Sequence, residues 1–255
     1  MSEPSPQTAG LGDVITVTSP DGPRELSIYS EEGYRALAEL FTRSGWQNRL
    51  AYEVTWLGVP IIQVPEDMVI MQELLWRVRP DVVIECGVAH GGALLLYASI
   101  LELLGKGRAI GIDNEIRKYN RLAIQSHPLS RRLELVEGSS IDRELVDRVR
   151  ASIGPSATVL VALDSNHSRG HVRRELECYA PFVTSGSYVV VFDTVMPVVA
   201  DAPRAGAGWS DDNPLEAVRD FLRSNADFEV DESLHRLGVT HCHSGFLKRS
   251  RPTST

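Results

Sequence analysis

The 255 residues carry 26 Lys and Arg against 34 Asp and Glu, a formal net charge of −8 at pH 7. This balance argues against a nucleic-acid groove, which needs clustered basic side chains, and suits an enzyme acting on a neutral or cationic small molecule. The length fits one large α/β domain with a sizeable core and a short N-terminal extension.

The sequence also indicates the cellular compartment of the protein. No apolar run approaches the roughly 20 residues that a membrane-spanning helix needs, and the first residues lack the basic start and apolar stretch of a secretory signal. Three widely spaced cysteines match neither a zinc motif nor a disulfide framework: Cys86, Cys178 and Cys242. We therefore expect a protein of a reducing, cytoplasmic compartment.

Ahead of the main domain, the sequence predicts a flexible tail at residues 1–12 and an extension over residues 13–79. Alternating polarity from Ile15 to Ile28 predicts a β-hairpin with its turn at Asp21-Gly22. A helix is expected over Glu31–Ser44, because its large apolar residues recur with helical spacing. These residues are Tyr34, Leu37, Leu40 and Phe41. Thr55–Pro60 indicates a loop or an extended segment.

From Asp67 onward, apolar strands alternate with helices. The expected helices are Asp67–Val78, Ala93–Leu104, Ile116–Gln125, Asp142–Ser152, His171–Ala180 and Pro214–Ser224. The expected strands are Asp81–Cys86, Arg108–Ile112, Leu133–Glu137, Thr158–Leu163 and Tyr188–Phe192, with two closing strands at Phe228–Ser233 and Val239–Leu247. This alternation predicts an α/β fold with a doubly wound, mostly parallel sheet over residues 80–250, followed by a tail at 251–255.

The first strand of this series ends in an acid and enters a glycine-bearing turn, Glu85-Cys86-Gly87-Val88-Ala89-His90-Gly91-Gly92. Glycines allow backbone to come close to a ligand. After the next strand, Asp113 is placed to accept hydrogen bonds from ribose hydroxyls. The dinucleotide fingerprint G-x-G-x-x-G is absent, since residue 89 is alanine. We expect a different nucleoside pocket; the alternative is an ordinary strand–turn–helix whose glycines serve only the turn.

The E-x-G-x-x-x-G pattern resembles motif I of class I S-adenosylmethionine (SAM) methyltransferases. The resemblance implies that Glu85, Gly87 and Gly91 hold the amino acid end of SAM and that Asp113 holds its ribose. Three further polar residues are then expected near the cofactor: Ser139 and Ser140 beside the adenine, and His90 inside the turn. His90 would contact the cofactor carboxylate or would only begin the following helix.

Two later strands also end in acids, running into Asp164-Ser165-Asn166-His167 and Asp193-Thr194. Because the carboxyl ends of parallel strands meet in one crevice, Asp164 and Asp193 would lie beside the cofactor and share a hard divalent cation such as Mg²⁺. His167 would reach the same place as a general base for a hydroxyl acceptor. The alternative is that each aspartate only caps a helix or a turn. The remaining histidines considered are interpreted as surface or structural: His127, His235 and His241.

Several motifs together resemble the cephalosporin hydroxylase / rhamnosyl O-methyltransferase family over about residues 30–250. The matching segments are Thr55-Trp56-Leu57-Gly58-Val59-Pro60, Pro65-x-Asp67, Gln72-Glu73, Glu85-Cys86-Gly87 with His90-Gly91-Gly92, Leu163-Asp164-Ser165-Asn166-His167, Pro214-Leu215-Glu216-Ala217-Val218 and Gly245-Phe246-Leu247-Lys248-Arg249. The resemblance implies an oligomeric SAM methyltransferase, often Mg²⁺-dependent, of antibiotic or glycolipid biosynthesis.

The chain is also similar to macrolide sugar O-methyltransferases, in which an Asp-x-x-His segment supplies a metal ligand and the base. By position these are Asp164 and His167. The second metal-binding segment of such enzymes usually reads Glu-Asp, whereas this chain reads Phe192-Asp193. The departure leaves open a looser site, water in place of a ligand, or no physiological metal.

These observations predict a SAM-dependent O-methyltransferase that modifies a sugar hydroxyl, such as that of rhamnose on a glycosylated antibiotic, and that forms a homo-oligomer. The alternatives are a hydroxylase or oxidoreductase-type tailoring enzyme, and a non-catalytic SAM-binding partner. The sequence offers no flavin motif and no defensible two-histidine, one-carboxylate set. Met196–Asn213 is expected to be a mobile lid, in which Trp209 stacks on the acceptor or packs against the lid itself.

Overall fold

A computed structural model describes residues 12–19 and 22–250. The chain begins with a hairpin of β1 (Val14–Ser19) and β2 (Gly22–Ser27), followed by α1 (Glu31–Gln47). The hairpin agrees with the predicted alternation. Asp21 of its expected turn lies outside the described residues, as do residues 1–11 and 251–255 of the expected tails. A second hairpin, of β3 (Thr55–Trp56) and β4 (Val59–Pro60), occupies the segment predicted to be a loop or extended.

The remainder is a regular succession of strands and helices. The helices are α2 (Pro65–Val78), α3 (Gly92–Leu103), α4 (Lys118–Ser126), α5 (Arg143–Ala151), α6 (Arg169–Tyr179) and α7 (Pro214–Ser224). The strands are β5 (Val82–Cys86), β6 (Arg108–Asp113), β7 (Leu133–Glu137), β8 (Val159–Leu163), β9 (Tyr188–Val191), β10 (Phe228–Val230) and β11 (Phe246–Arg249). Short 3₁₀ turns lie at Leu50–Glu53, Ser130–Arg132, Ala180–Phe182, Met196–Val199 and Glu232–His235.

Seven of these strands form one sheet in the order β10-β11-β9-β8-β5-β6-β7. The five strands from β5 to β9 pair in parallel, and β11 is antiparallel to both of its neighbours. The predicted doubly wound, mostly parallel α/β fold is therefore confirmed. The chain builds outward from β5 to β7, then returns to place β8 on the other side of β5. This reversal creates a crevice at the carboxyl ends of β5 and β8, where ligands bind in such sheets.

Both faces of the sheet are covered, which explains why its strands are almost continuously apolar. Successive residues of a strand point to opposite faces. Residues such as Val83 and Leu160 pack against α2 and α3, whereas Ile84 and Val161 pack against α5, α6 and α7. Among the described residues, no helix combines the length and apolarity needed to cross a bilayer.

The predicted closing strands are wrong in extent. The strand expected over Phe228–Ser233 ends at Val230, because the Asp231 side chain accepts a hydrogen bond from the Ser233 N–H at 3.2 Å and starts a 3₁₀ turn. The strand expected over Val239–Leu247 begins only at Phe246. Residues 239–245 form a loop, in which the Thr240 hydroxyl and the His241 N–H bond to a side chain on α2.

That side chain is Asp67, in the first turn of α2 and 1% exposed. Its carboxylate accepts from the Thr240 hydroxyl at 2.5 Å and from the His241 backbone N–H at 2.8 Å. Burial raises the pKa of Asp67 to about 7, and these two donors act against that rise. The interaction fixes the 239–245 loop, and with it the His241 side chain, against the end of the sheet.

We expect Asp67→Ala to lower the free energy of unfolding by about 1–3 kcal/mol, because two buried donors lose their acceptor. Urea denaturation of both proteins measures the difference. Glu73→Ala on the same helix is the matched control: Glu73 pairs with Arg236 at the surface, and such pairs contribute less than about 1 kcal/mol. Equal losses in the two variants would contradict the role given to Asp67.

Candidate active site

The turn after β5 lies directly against the end of β8. Gly87 has φ +101°, and a Cβ there would lie 1.9 Å from the Asp164 carbonyl oxygen, so only glycine fits. The Asp164 N–H donates to the Cys86 carbonyl at 2.7 Å, continuing the pairing of the two strands. Gly91, with φ +91°, then leads into α3. The glycines predicted to shape this turn are thus required by its backbone.

Asp113, at the end of β6, holds the turn from the other side. Its Oδ2 accepts from the backbone N–H groups of Val88 and Ala89 at 2.8 and 3.2 Å. Ala89 adopts φ 44°, an uncommon left-handed conformation for a residue with a side chain. Asp113 therefore shapes the loop as well as facing the cavity in which a ribose is predicted.

Two adjoining cavities open at this end of the sheet, of about 440 and 450 Å³. They share a wall formed by Gly87, Ala89, Asp164 and Ser165. The first cavity is lined by the predicted residues Glu85, Gly87, His90, Gly91, Asp164, His167 and Asp193. The second is lined by Gly87, Asp113, Ser139, Ser140 and Asp164. The structure thus brings every sequence-predicted site residue to one connected site.

Glu85 is a buried acid at the base of the first cavity. It is 1% exposed, and neither carboxylate oxygen has a hydrogen-bond partner among the described residues. Burial raises the pKa of Glu85 to about 8; the nearby Tyr97 hydroxyl acts against this rise, and the Asp113 charge adds to it. The side chains of Gln63 and Tyr97 are also buried with unpartnered polar atoms. An unpaired buried carboxylate is costly, so this region is suited to a ligand that brings a cation or hydrogen-bond donors.

Asp164, His167 and Asp193 form a compact cluster in the first cavity. Each offers a ligand atom, and these atoms all lie within 4.8 Å of one another. His167 Nδ1 lies 3.4 Å from Asp193 Oδ2, and the His167 side chain is 37% exposed to the cavity. Burial and the neighbouring Asp193 charge raise the pKa of Asp164 well above its usual range. Two close carboxylates and an imidazole are a donor set that can hold a divalent cation.

Asp193, which belongs to this cluster, has an uncommon backbone conformation. Its φ is 55°, a left-handed conformation that costs energy for a residue other than glycine and is typical of functional sites. The preceding residue, Phe192, is 3% exposed and packs into the apolar core. The position where related segments carry a second acid therefore contributes a core side chain here.

Sequence reasoning missed an aromatic wall on the open side of the first cavity. Trp46 from α1 contacts Trp209 edge-to-face, with ring centroids 5.4 Å apart, and also contacts His241 at 5.3 Å. Trp209 thus packs against Trp46 and lines the cavity, and its stacking on an acceptor stays a prediction. Arg49 and Arg204 complete this side. These residues come from distant parts of the chain and share no motif that would have found them.

His241 was interpreted as a surface or structural histidine, and the surface interpretation is wrong. It is 6% exposed and lines the first cavity, with Nδ1 3.8 Å from Asp193 Oδ1. Burial lowers the pKa of His241. The mistaken strand over residues 239–247 hid this position, because a regular strand there would have continued the sheet instead of folding over its end.

Comparison with known proteins supports the same picture. The family model described as Rhamnosyl O-methyltransferase/CmcI matches residues 48–250. A rhamnosyl O-methyltransferase of Mycobacterium leprae is 28% identical over 218 residues, covering 84% of this chain and 91% of that protein. One from Mycobacterium tuberculosis H37Rv is 27% identical over 227 residues, covering 84% and 86%. A CmcI structure with Mg and SAM has 18% identity and a TM-score of 0.56, and covers 78% of each chain; this likeness shows the shared fold.

Glu85 provides a test of the site that needs no ligand. Its pKa is about 8 in the folded protein, against a usual value of 4.5, so the folded state keeps a proton that the unfolded chain releases. Stability through this group is full below pH 4.5 and is lost as the pH rises towards 8. We expect Glu85→Gln, which stays neutral, to be increasingly more stable than the wild type across that window, by on the order of 1 kcal/mol per pH unit.

Chemical denaturation at several pH values between 5 and 8 measures this difference. Glu134→Gln on strand β7 of the same sheet is the control, since Glu134 is partly exposed beside Arg108 and not buried. A constant difference between wild type and Glu85→Gln at every pH would show that Glu85 is an ordinary ionised carboxylate.

Proposed function

Because the chain belongs to the rhamnosyl O-methyltransferase/CmcI family, it is a SAM-dependent O-methyltransferase, and we propose that it methylates a hydroxyl of a rhamnosyl group on a glycosylated natural product. One observation carries the proposal: the Asp164–His167–Asp193 cluster and the glycine turn of residues 85–92 line the same cavity. A site for activating an acceptor hydroxyl thus adjoins a site for the methyl donor.

The residues around the two cavities fit SAM. The unpartnered carboxylate of Glu85 suits the cationic methionine end, and the turn at Gly87 lines the same cavity. Asp113 and the Ser139–Ser140 turn line the neighbouring cavity, which suits the adenosine end. When bound, SAM supplies a methyl group that is already electrophilic, so the protein's remaining task is to prepare and orient the acceptor.

Asp164 and Asp193 would hold the divalent cation, since their carboxylates stand close enough to repel one another and to raise the pKa of Asp164. A cation such as Mg²⁺ would supply charge that lowers the pKa of an acceptor hydroxyl. With Phe192 buried in the core, the chain offers two carboxylates to this cation. Removal of the cation with EDTA therefore measures how far methyl transfer depends on it.

His167 would take the proton from the acceptor hydroxyl. Its Nδ1 faces Asp193, which favours the tautomer with the proton on Nδ1 and leaves Nε2 as the free acceptor. A histidine held in this way is suited to general-base catalysis near neutral pH. Asp193 would thus orient the base as well as bind the cation.

The open side of the cavity supports a sugar acceptor. Trp46 and Trp209 present aromatic surface there, and Arg49 and Arg204 bring hydrogen-bond donors. Such a mixture suits the alternating apolar faces and hydroxyls of a deoxysugar. The curated relatives named as rhamnosyl O-methyltransferases point to the same acceptor class.

We further propose that the enzyme is a homo-oligomer of a cytoplasmic compartment. The large apolar side chains of α1 are exposed, Leu40 and Phe41 by 52% and 50%, which supports a homo-oligomer. Three free cysteines support a reducing, cytoplasmic compartment. A role in antibiotic biosynthesis rests on the sequence resemblance alone.

The purified protein, incubated with SAM, Mg²⁺ and rhamnosylated acceptors, should give a product heavier by one methyl group, detected by mass spectrometry. EDTA should abolish the product and added Mg²⁺ should restore it. Tight SAM binding without product on any glycoside would favour a non-catalytic SAM-binding partner. An oxidised product in the presence of a reductant, without methylation, would favour a hydroxylase.

We expect His167→Ala to lower kcat by roughly 10²–10⁴-fold, the usual contribution of a general base. The Kd for SAM, measured by isothermal titration, should stay near the wild-type value because the predicted SAM contacts remain. His127→Ala is the control, since the His127 side chain accepts from the Leu129 N–H and lines neither cavity. Near-full activity of a folded His167→Ala protein would rule out the assigned base.

A further inference from the structure

A second polar cluster lies beside the adenosine-side cavity, and of its members the proposed function uses only Ser140. It consists of Ser140, Ser165, His171 and Glu175, here called the His171 cluster. The Ser140 and Ser165 hydroxyls both donate to Glu175 Oε1, at 2.5 and 2.6 Å. His171 Nε2 lies 3.2 Å from Ser140 Oγ, 3.3 Å from Ser165 Oγ and 3.3 Å from Glu175 Oε1.

The cluster is built from three elements. Ser140 follows β7, Ser165 follows β8, and His171 and Glu175 lie one turn apart on α6. Ser140 and Glu175 are buried, at 5% and 0% exposure, and the Tyr179 hydroxyl donates to the Ser140 carbonyl at 2.8 Å. Ser140, Ser165 and His171 nevertheless line the second cavity. The cluster is therefore rigidly held, and one side of it faces a ligand space.

Counting protons fixes the state of the His171 ring. Each serine hydroxyl has one proton, and both protons point to Glu175. The groups that surround Nε2 thus present only lone pairs, so Nε2 must carry the ring proton and donate. In the neutral imidazole Nδ1 is then an acceptor. Nδ1 makes no hydrogen bond within residues 12–19 and 22–250.

We propose that His171 is a specificity-determining residue whose Nδ1 accepts a hydrogen bond from the 6-amino group of adenine in the cofactor. The inference rests on the proposed function, because it takes the ligand of this cavity to be an adenosine. Asp113, which is predicted to hold the ribose, lines this cavity together with the Ser139–Ser140 turn and His171. An acceptor there matches an amino group and disfavours a base with an oxo group at the same position, which would leave two acceptors facing each other.

The test compares S-adenosylhomocysteine with S-inosylhomocysteine by isothermal titration into the full-length protein. The inosyl base carries an oxo group in place of the 6-amino group and a proton on the adjacent N1. The wild type should bind the adenosyl compound roughly tenfold or more tightly. In His171→Ala the adenosyl compound should weaken to about the affinity of the inosyl compound, whose own Kd should change little. Asp113→Asn, which alters the predicted ribose contact, should weaken both compounds equally, and His127→Ala should weaken neither.

Equal binding of the two compounds by the wild type would overturn the proposal, as would a preference for the inosyl compound or an equal loss of both in His171→Ala. Failure of both compounds to bind the wild type would instead refute the proposed function, and this inference with it. A second measurement does not depend on a variant that folds poorly. Histidine ¹⁵N spectra of the wild type, assigned with His171→Gln, should show His171 protonated at Nε2 alone, and protonation at Nδ1 would contradict the assignment.

Discussion

The close contact between the turn after β5 and the end of β8 positions the whole site. At Gly87 the two backbones approach so closely that a methyl group would overlap the Asp164 carbonyl. Because these strands pair in register up to Cys86 and Leu163, the turn and the acidic segment that follow them have fixed relative positions. The reversal of strand order at this point then opens a crevice on both sides of the contact, and each side becomes one of the two cavities.

Acidic side chains are concentrated around this crevice. Glu85 is buried without partners, and Asp164 and Asp193 stand close together. Such an arrangement costs stability in the free protein, and the raised pKa values of Glu85 and Asp164 express that cost. A cationic donor and a divalent cation would each relieve part of it on binding. This cost of folding would in that way favour positively charged ligands. The left-handed backbone of Asp193 adds to the cost.

The alternation of apolar strands and helices was enough to predict the fold, because a strand covered on both faces has an unmistakable composition, as Val159–Leu163 shows. The site residues that directly follow strands could also be predicted from the sequence, because the carboxyl ends of parallel strands have fixed positions in this fold. Asp164, His167 and Asp193 were found in that way. Trp46, Gln63 and His241 were not, because they reach the cavity through loops and a helix end whose paths depend on tertiary contacts. The position of His241 is fixed by a hydrogen bond to Asp67, a partner 174 residues away in the chain. A local sequence pattern cannot predict a contact of that range.

The β8 turn joins the two halves of the site. Asp164 faces the cavity of the acidic cluster, whereas the next residue, Ser165, donates to Glu175 and contacts His171 in the His171 cluster. The peptide bond between Asp164 and Ser165 thus links the residues proposed to activate the acceptor with those proposed to bind the adenine. Ser165 donates to the fully buried carboxylate of Glu175, which restricts movement of the turn after β8. Asp164 lies in the same turn and is restricted with it. The contacts proposed to select the cofactor and the segment proposed to activate the acceptor are therefore joined through one turn of the chain.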